Sequence, residues 1–443
     1  MPRQEERAAQ PIVPESFLSM PARILQIDLA QPLPTLRAEG RYGALWLLVK
    51  FGPQPLGWMR CQARRFGEVI TPDLLAGMIV DNLTVQAHDA ARDHSYQWPV
   101  VDPEKLPSVS VVICSREHPD VLERQLRSVA ELVYPNFEVI VVDNAPKTNR
   151  TKLVCDKFPF VRHVLDPRPG LDYARNTGWQ VARNEIVAYT DDDACVDPHW
   201  LTMLAINYAD PKVNCVTGTT CPMELETAAQ EHFEKYGGMQ RGFHRRVYSP
   251  GTWNTYFPLG SGRFGAGVNM SIRRSTLEAM GGFDVALDVG SIGRGGGDLD
   301  IMARVLRDGG KLVYDPRAIC WHQHRRTMSQ LRRQMFDYGW GFACYCMKYA
   351  SDLELGNLSM AMLKRWSKRW GYKRLKDNLK LAAVGRPHFP IHLIMLEIAG
   401  GIMGLRAYRR SLRKVRNDTI RYRKLGIHPI ISAPVAAEGR AAA

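Results

Sequence analysis

The chain has 443 residues, 45% hydrophobic and 23% charged, the balance of an ordinary soluble globular protein with room for two or three domains. Its nine cysteines are odd in number, without a Cys-x-x-Cys pair or metal-type spacing, which argues against a zinc module and for reduced thiols in a reducing compartment. The net charge of +14 sits late: Gln323 to Gly426 hold 23 Lys and Arg against 6 Asp and Glu, so that stretch carries +17 and the rest −3.

The opening MPRQEERAAQPIVPE lacks an apolar core, so no signal peptide is expected and the chain reads as cytoplasmic. Residues 1–106 predict a small α+β unit with no evident chemistry. ARILQIDL, ALWLLVKF and PLGWMRCQ are strand-like, and a helix follows from Thr71, a suitable cap, with Pro72 in its first turn. The Pro-rich QWPVVDPEKLPS reads as a linker.

Residues 107–347 alternate strand and helix. VSVVICS, FEVIVVDNA, VRHVL and EIVAYTDDD are apolar runs of buried-strand type, separated by helices expected over Asp120–Leu132, through Phe158 and over Leu171–Ala182. That alternation predicts an α/β fold with a mainly parallel sheet covered on both faces. Ligands of such sheets bind beyond the carboxyl ends of the strands. Cys114-Ser115-Arg116, Asp143-Asn144 and Asp191-Asp192-Asp193 each stand at such an end and are expected to converge.

Three adjacent carboxylates repel one another, and a hard divalent cation is their natural partner. Asp197, followed by Pro198, is the better candidate to cap the next helix, which frees the triple Asp for Mg2+ or Mn2+.

Six stretches in order then carry a resemblance: VSVVICSREHPDVLERQLRSV, FEVIVVDNA, GLDYARNTGW, YTDDDACVDPHWL, GAGVNMSIRRSTLEAMGGFD and GGGDLDIMARVL. From Val109 to about Tyr338, roughly half the chain, the sequence resembles the family 2 inverting glycosyltransferases of GT-A fold. The resemblance implies a nucleotide-sugar donor, with Asp143 on the base, Cys114, Ser115 and Arg116 lining the base pocket, and Arg175 near the nucleotide. It places Asp191 on the ribose and Asp193 on the metal, with Asp192 open to either role. Asn269 would lie beside donor sugar and acceptor.

By the same resemblance Asp298 is the general base, with Asp300 as an alternative. Gly297 stands where relatives often have a first acid. His322 and His324 lie two apart, and His324 is taken as metal ligand with Arg325 or Arg326 as phosphate partner. QLRRQ (Gln330–Gln334) has Gln where processive synthases have Trp, and no membrane span is evident, which argues against a processive polymerase.

Residues 348–430 predict a basic helical region, and 431–443 a disordered tail. IHLIMLEIAGGIMGL (391–405) has 15 residues, short of the roughly 20 that a span needs, and is expected to dock or to lie in an interface. Leu363, Trp366 and Trp370 at helical spacing among Lys and Arg suit either an anionic membrane, peripherally on its inner face, or packing on the catalytic domain. The sequence therefore predicts a metal-dependent inverting transferase of the cell envelope, with a carbohydrate or lipid-linked acceptor and no nucleic-acid partner. The alternatives are a degenerate GT-A fold, a basic binding module or, less favoured, a nucleotidyltransferase.

Overall fold

The computed structural model describes residues 21–425 apart from 38–39, 63–68, 252–255 and 387. The opening residues and the 431–443 tail, for which the absence of a signal and disorder were expected, lie outside the described residues.

The N-terminal unit consists of β1 (Ala22–Asp28), β2 (Leu36–Arg37), β3 (Ala44–Phe51), β4 (Gln54–Cys61), β5 (Val69–Ile70) and α1 (Pro72–Arg92). Strands β1, β3 and β4 form one sheet, and α1 packs on it through Leu75, Ile79 and Leu83. Thr71 Oγ1 accepts from the Leu74 amide, the expected cap. Trp58 meets Trp321 edge-on at 6.3 Å, and the Ala22 amide donates to the Leu225 carbonyl, so the unit is fastened to the central sheet.

The central region runs β6 (Val109–Ser115), α2 (Pro119–Ala130), β7 (Phe137–Asn144), α3 (Arg150–Cys155), β8 (Val161–Asp166), α4 (Leu171–Val181), β9 (Ile186–Asp191), β10 (Ala194–Val196), α5 (Trp200–Ala205), β11 (Val213–Pro222), α6 (Ala228–Tyr236), β12 (Arg246–Tyr248), β13 (Met270–Arg273), α7 (Arg274–Met280), α8 (Gly297–Arg307) and β14 (Lys311–His322). The sheet order is β10-β14-β11-β13-β9-β6-β7-β8, with β12 also on β14. Strands β9, β6, β7 and β8 are parallel, as are β11 and β14, whereas β13 runs antiparallel between β9 and β11. Successive β6 residues serve opposite cores: Val111 and Ile113 meet Leu122 and Leu126 of α2, while Val112 meets Ala174 of α4. This explains why VSVVICS is apolar without alternation.

The remaining helices are α9 (Met328–Tyr349), α10 (Gly356–Arg365), a π-helical turn at Trp366–Lys373, α11 (Arg374–Ala383), α12 (Ile391–Gly404) and α13 (Ala407–Lys424). Helix α9 runs through the boundary expected near residue 347. Helix α12 lies against it so closely that a Cβ on Gly400 would fall 2.0 Å from the Phe336 carbonyl oxygen. Beside this contact, Arg374 sits 4.3–4.8 Å from the ring centroids of Tyr236, Trp370 and Phe389. Glu397, 3% exposed, accepts from Tyr236 and Trp370. Of the two expectations for these tryptophans, the contacts are those of packing: Trp366 lies on Phe342 and Gly401, and Trp370, still 39% exposed, touches Tyr236 and Glu397. Because a backbone carbonyl cannot yield as a side chain can, Gly400→Val is expected to cost about 1–3 kcal/mol or more, read as a lowered midpoint in urea unfolding of the full chain. An unchanged midpoint would contradict this packing.

Candidate functional site

Register fixes where the acids meet. Ser115 pairs with Asp143 across β6 and β7, and Cys114 pairs with Asp191 across β6 and β9, so three parallel strands end at one edge. Strand β14 returns antiparallel to β10 with His322 opposite Ala194. The Gln323 amide donates to the Asp193 carbonyl at 2.9 Å. In consequence one ligand atom each from Asp191, Asp193 and His322 lie within 4.8 Å of one another. Two carboxylates and an imidazole form a donor set that fits a divalent cation.

The three aspartates have separate fates. Asp192 turns away, accepting from Ser115 Oγ at 2.7 Å and lying 3.3 Å from His118 Nδ1. Burial resists ionisation of Asp193, but His322 Nε2 at 3.3 Å from its Oδ1, with Arg325 Nη1 at 3.6 Å from its Oδ2, holds it at about 2. Burial pushes Asp191 up to about 6, against the pull of Arg175 and with the repulsion of Asp193. Burial lowers the proton affinity of His322, and Asp193 more than restores it.

The histidine expectation is corrected: His322, not His324, stands beside the aspartates. Strand β14 ends at His322, so alternation does not continue to His324. That ring is 2% exposed, bonded through Nε2 to Glu234 Oε1 at 2.7 Å and packed on Phe233. Its Nδ1 lies 3.1 Å from His322 Nδ1, so His324 orients the inner histidine from behind. Arg326 is bound by Glu224 and Glu226, which leaves Arg325 as the basic side chain facing Asp193.

On the nucleotide side, Asp143 is 2% exposed, and its Oδ2 lies 3.2 Å from His163 Nε2. Its Oδ1 is buried without a hydrogen bond of ordinary geometry, the nearby Thr151 hydroxyl being unpaired as well. A buried carboxylate oxygen of this kind is a ready acceptor for a ligand N–H. Burial keeps the Cys114 thiol protonated. Arg116 is exposed beyond the end of β6. Arg175 lies in the interior instead, its Nη1 2.9 Å from Asp172 Oδ1 and 2.6 Å from Asp288 Oδ2. From there its charge attracts both Asp191 and Asp298.

Asp298 opens α8. Its Oδ2 accepts from the Gly267 amide and its Oδ1 from the Leu299 amide, at 3.0 and 2.8 Å. Burial, then Asp288, raises its proton affinity. Asp300 is excluded from this role because it is fully buried between Lys348 at 2.6 Å, Arg304 at 2.8 Å and the Tyr349 hydroxyl. Burial disfavours its charge, yet those cations hold it at about 2. Asn269 also departs from expectation. It has no exposed surface, donates to the Thr219 and Ala318 carbonyls and accepts from Trp200 Nε1, so it braces strands and has nothing left for a sugar. Asp197 Oδ1 accepts from the His199 amide, closing the turn before α5, which begins at Trp200.

One acid escaped sequence reasoning. Asp172, 1% exposed, has an Oδ2 without a hydrogen-bond partner. A Cβ on Gly297 would stand 2.2 Å from that oxygen. The room left by the missing acid before Asp298 is thus filled by a carboxyl from α4, and no local motif reveals it.

Residues 110–280 match the family model described as glycosyl transferase family 2. That stretch, from β6 to the end of α7, is what this chain shares with glycosyl transferase family 2. The match ends before Asp298 and His322, whose places rest on the structure. Among curated relatives, the glucosyl-dolichyl phosphate glucuronosyltransferase of Haloferax volcanii is 31% identical over 189 residues, 40% of this chain and 56% of that protein. The pre-mycofactocin glycosyltransferase of Mycobacterium tuberculosis is 25% identical over 264 residues, 58% of this chain and 52% of that protein. The chain thus spans about half the length of the curated relatives it matches. A solved mannosyltransferase, PcManGT from Pyrobaculum calidifontis in complex with GDP-Man and Mn2+, has 20% identity and a TM-score of 0.48, covering 73% of this chain and 94% of that one. The α/β architecture with a mainly parallel sheet agrees with the expectation from alternating strands and helices.

The Asp172 contact has a measurable consequence. Gly297→Ala is expected to cost about 1–3 kcal/mol, and Asp172→Ser in the same chain should recover part of it. Urea unfolding of both single variants and the double variant supplies the cycle; strict additivity would show that the two positions do not touch.

Proposed function

We propose that the protein is a metal-dependent, inverting glycosyltransferase that moves a sugar from a nucleoside-diphosphate sugar to a hydroxyl of a carbohydrate or lipid-linked acceptor by single displacement. The observation that carries this reading is the meeting of Asp191, Asp193 and His322 at the edge where Asp143 keeps a buried oxygen without an ordinary hydrogen bond.

In this reading Asp143 accepts from the nucleotide base, and Ser115 holds Asp192 clear of the metal ligands. Asp191, Asp193 and His322 would hold Mg2+ or Mn2+. When bound, such an ion stabilises negative charge on the departing diphosphate. Arg325 stands beside Asp193, placed to meet a phosphate. Asp298 takes the proton of the acceptor hydroxyl, whose oxygen attacks the anomeric carbon as the bond to the diphosphate breaks. Two backbone amides aim its carboxylate, and its raised proton affinity makes it a stronger base than an exposed aspartate. No acid on the opposite face is needed, because the nucleoside diphosphate leaves without a proton. Two relatives with glycosyltransferase names support the reading, one of them named for a dolichyl phosphate-linked substrate.

Thermal melting against UDP, GDP, dTDP and CDP, each with and without Mn2+, tests the site. Stabilisation by one nucleotide is expected to require metal and to vanish in Asp193→Ala and His322→Ala. His324→Gln, acting from behind, should weaken metal binding about 10–100-fold without abolishing it. No shift with any nucleotide would overturn the donor site.

Asp298→Asn is expected to keep the nucleotide shift while lowering transfer by about 10²–10⁴-fold. Because the base works only when ionised and its proton affinity is raised, activity should be present above its shifted pKa and lost as pH falls through it. The acid limb of kcat is therefore expected above the ordinary aspartate value of about 3.9. A limb at that ordinary value would remove Asp298 from the role.

A further inference from the structure

Helix α12 has two faces with different histories. Its inner face, Leu393, Ile394, Glu397, Gly400, Gly401 and Gly404, is buried, consumed by contact with α9 and the Arg374 cluster. Its outer face is apolar and uncovered: Met395 is 57% exposed, Ile402 65% and Met403 57%, with half-buried Ile398 and Ala399 between them. Glu397 is the only charged residue of the helix, and it points inward. A contiguous apolar face of this kind calls for an occupant.

The flanking helices say which. On α11, Leu375, Leu379 and Ala383 share a shallow groove with Tyr372, Lys376 and Lys380, so apolar side chains emerge between ammonium groups. Helix α13 reads AYRRSLRKVRNDTIRYRK, with Asp418 its only acid, and Arg409, Arg413, Arg416 and Lys424 are exposed. Ala407, Ser411 and Val415 form its buried side, which leaves its cations to solvent. A second copy of the chain would bring like charge against like charge; an anionic bilayer supplies the opposite charge beside an apolar phase.

Helix α12 by itself is too short to span. The 14 residues of α12 cover about 21 Å at 1.5 Å per residue, less than the ~30 Å of hydrocarbon. The chain then bends by 57° into α13, where Arg406, Arg409 and Arg410 follow at once. No single helix among the described residues is long and apolar enough to cross a membrane. We infer that the outer face of α12, flanked by the cations of α11 and α13, is an interfacial docking surface for an anionic lipid bilayer, with α12 lying in the plane of the headgroup boundary. This inference is independent of the sugar-transfer reading.

Flotation of the full chain with vesicles tests it directly, using phosphatidylcholine with and without phosphatidylglycerol. Flotation is expected only with the anionic vesicles and should decline as salt rises. Met395→Glu with Ile402→Glu, both at exposed positions, should lower it about tenfold or more. Arg413→Gln with Arg416→Gln should weaken it most at low salt. Unchanged melting temperatures would show that the variants remain folded. Absence of flotation, equal flotation with neutral vesicles, or undiminished flotation of the glutamate variant would overturn the proposal. So would sedimentation velocity showing a dimer that the glutamate variant dissociates, which would assign the face to a second copy.

Discussion

Like charges at the end of one strand are the constraint on which the rest of the site depends. Chain continuity brings Asp191, Asp192 and Asp193 to the same edge, and three ionised carboxyls there would repel strongly in a partly buried setting. The fold relieves the repulsion by giving each acid a different environment. Asp192 is turned onto Ser115 and His118, Asp193 is held ionised by His322 and Arg325, and Asp191 is left at about 6. The last two thus share a pocket with unequal proton affinities. Such a pair has unsatisfied affinity for a cation, which ties the local electrostatics to the proposed chemistry.

The arrangement is propagated outward through hydrogen bonds. His322 is backed by His324, His324 by Glu234 of α6, and α6 ends at Tyr236, whose hydroxyl binds Glu397 of α12. Glu397 also accepts from Trp370. The C-terminal helices are thereby joined to the candidate metal ligands by a short series of buried polar contacts. Burying a carboxylate is costly unless it is paired and hydrogen-bonded; burial pushes Glu397 above the usual carboxylate range despite its partners. The cluster is therefore a rigid support and a position where loss of one partner would be felt by the others.

What the sequence disclosed follows from range. The buried strands were legible because a parallel strand covered on both faces must be apolar throughout, and VSVVICS and FEVIVVDNA are. Strand ends then located Ser115, Asp143 and the triple Asp without any knowledge of register. Choices between neighbours were less legible, because they depend on where a strand stops. His322 and His324 differ only in lying inside and beyond β14, and Asn269 in whether its amide faces the pocket or the Thr219 and Ala318 carbonyls. Trp366 and Trp370 among basic neighbours left membrane contact and packing open, and α12 supplies the apolar partner that no local pattern shows.

Asp172 and Gly297 show the limit most clearly. Read along the chain, the glycine before Asp298 is the loss of an acid. Read in space, the missing side chain makes room for the Asp172 carboxyl, whose Oδ1 is tied to Arg175 and whose Oδ2 faces the gap. Restoring an acid at 297 would place two carboxyls in one space and force one of them out. Carboxyl and glycine are therefore a matched pair 125 positions apart, while the charges that act on Asp298 itself are Asp288 first and then Arg175 of α4. A pattern that counts acids within a motif reports this site as deficient, whereas the physical inventory of carboxyls around Asp298 is not.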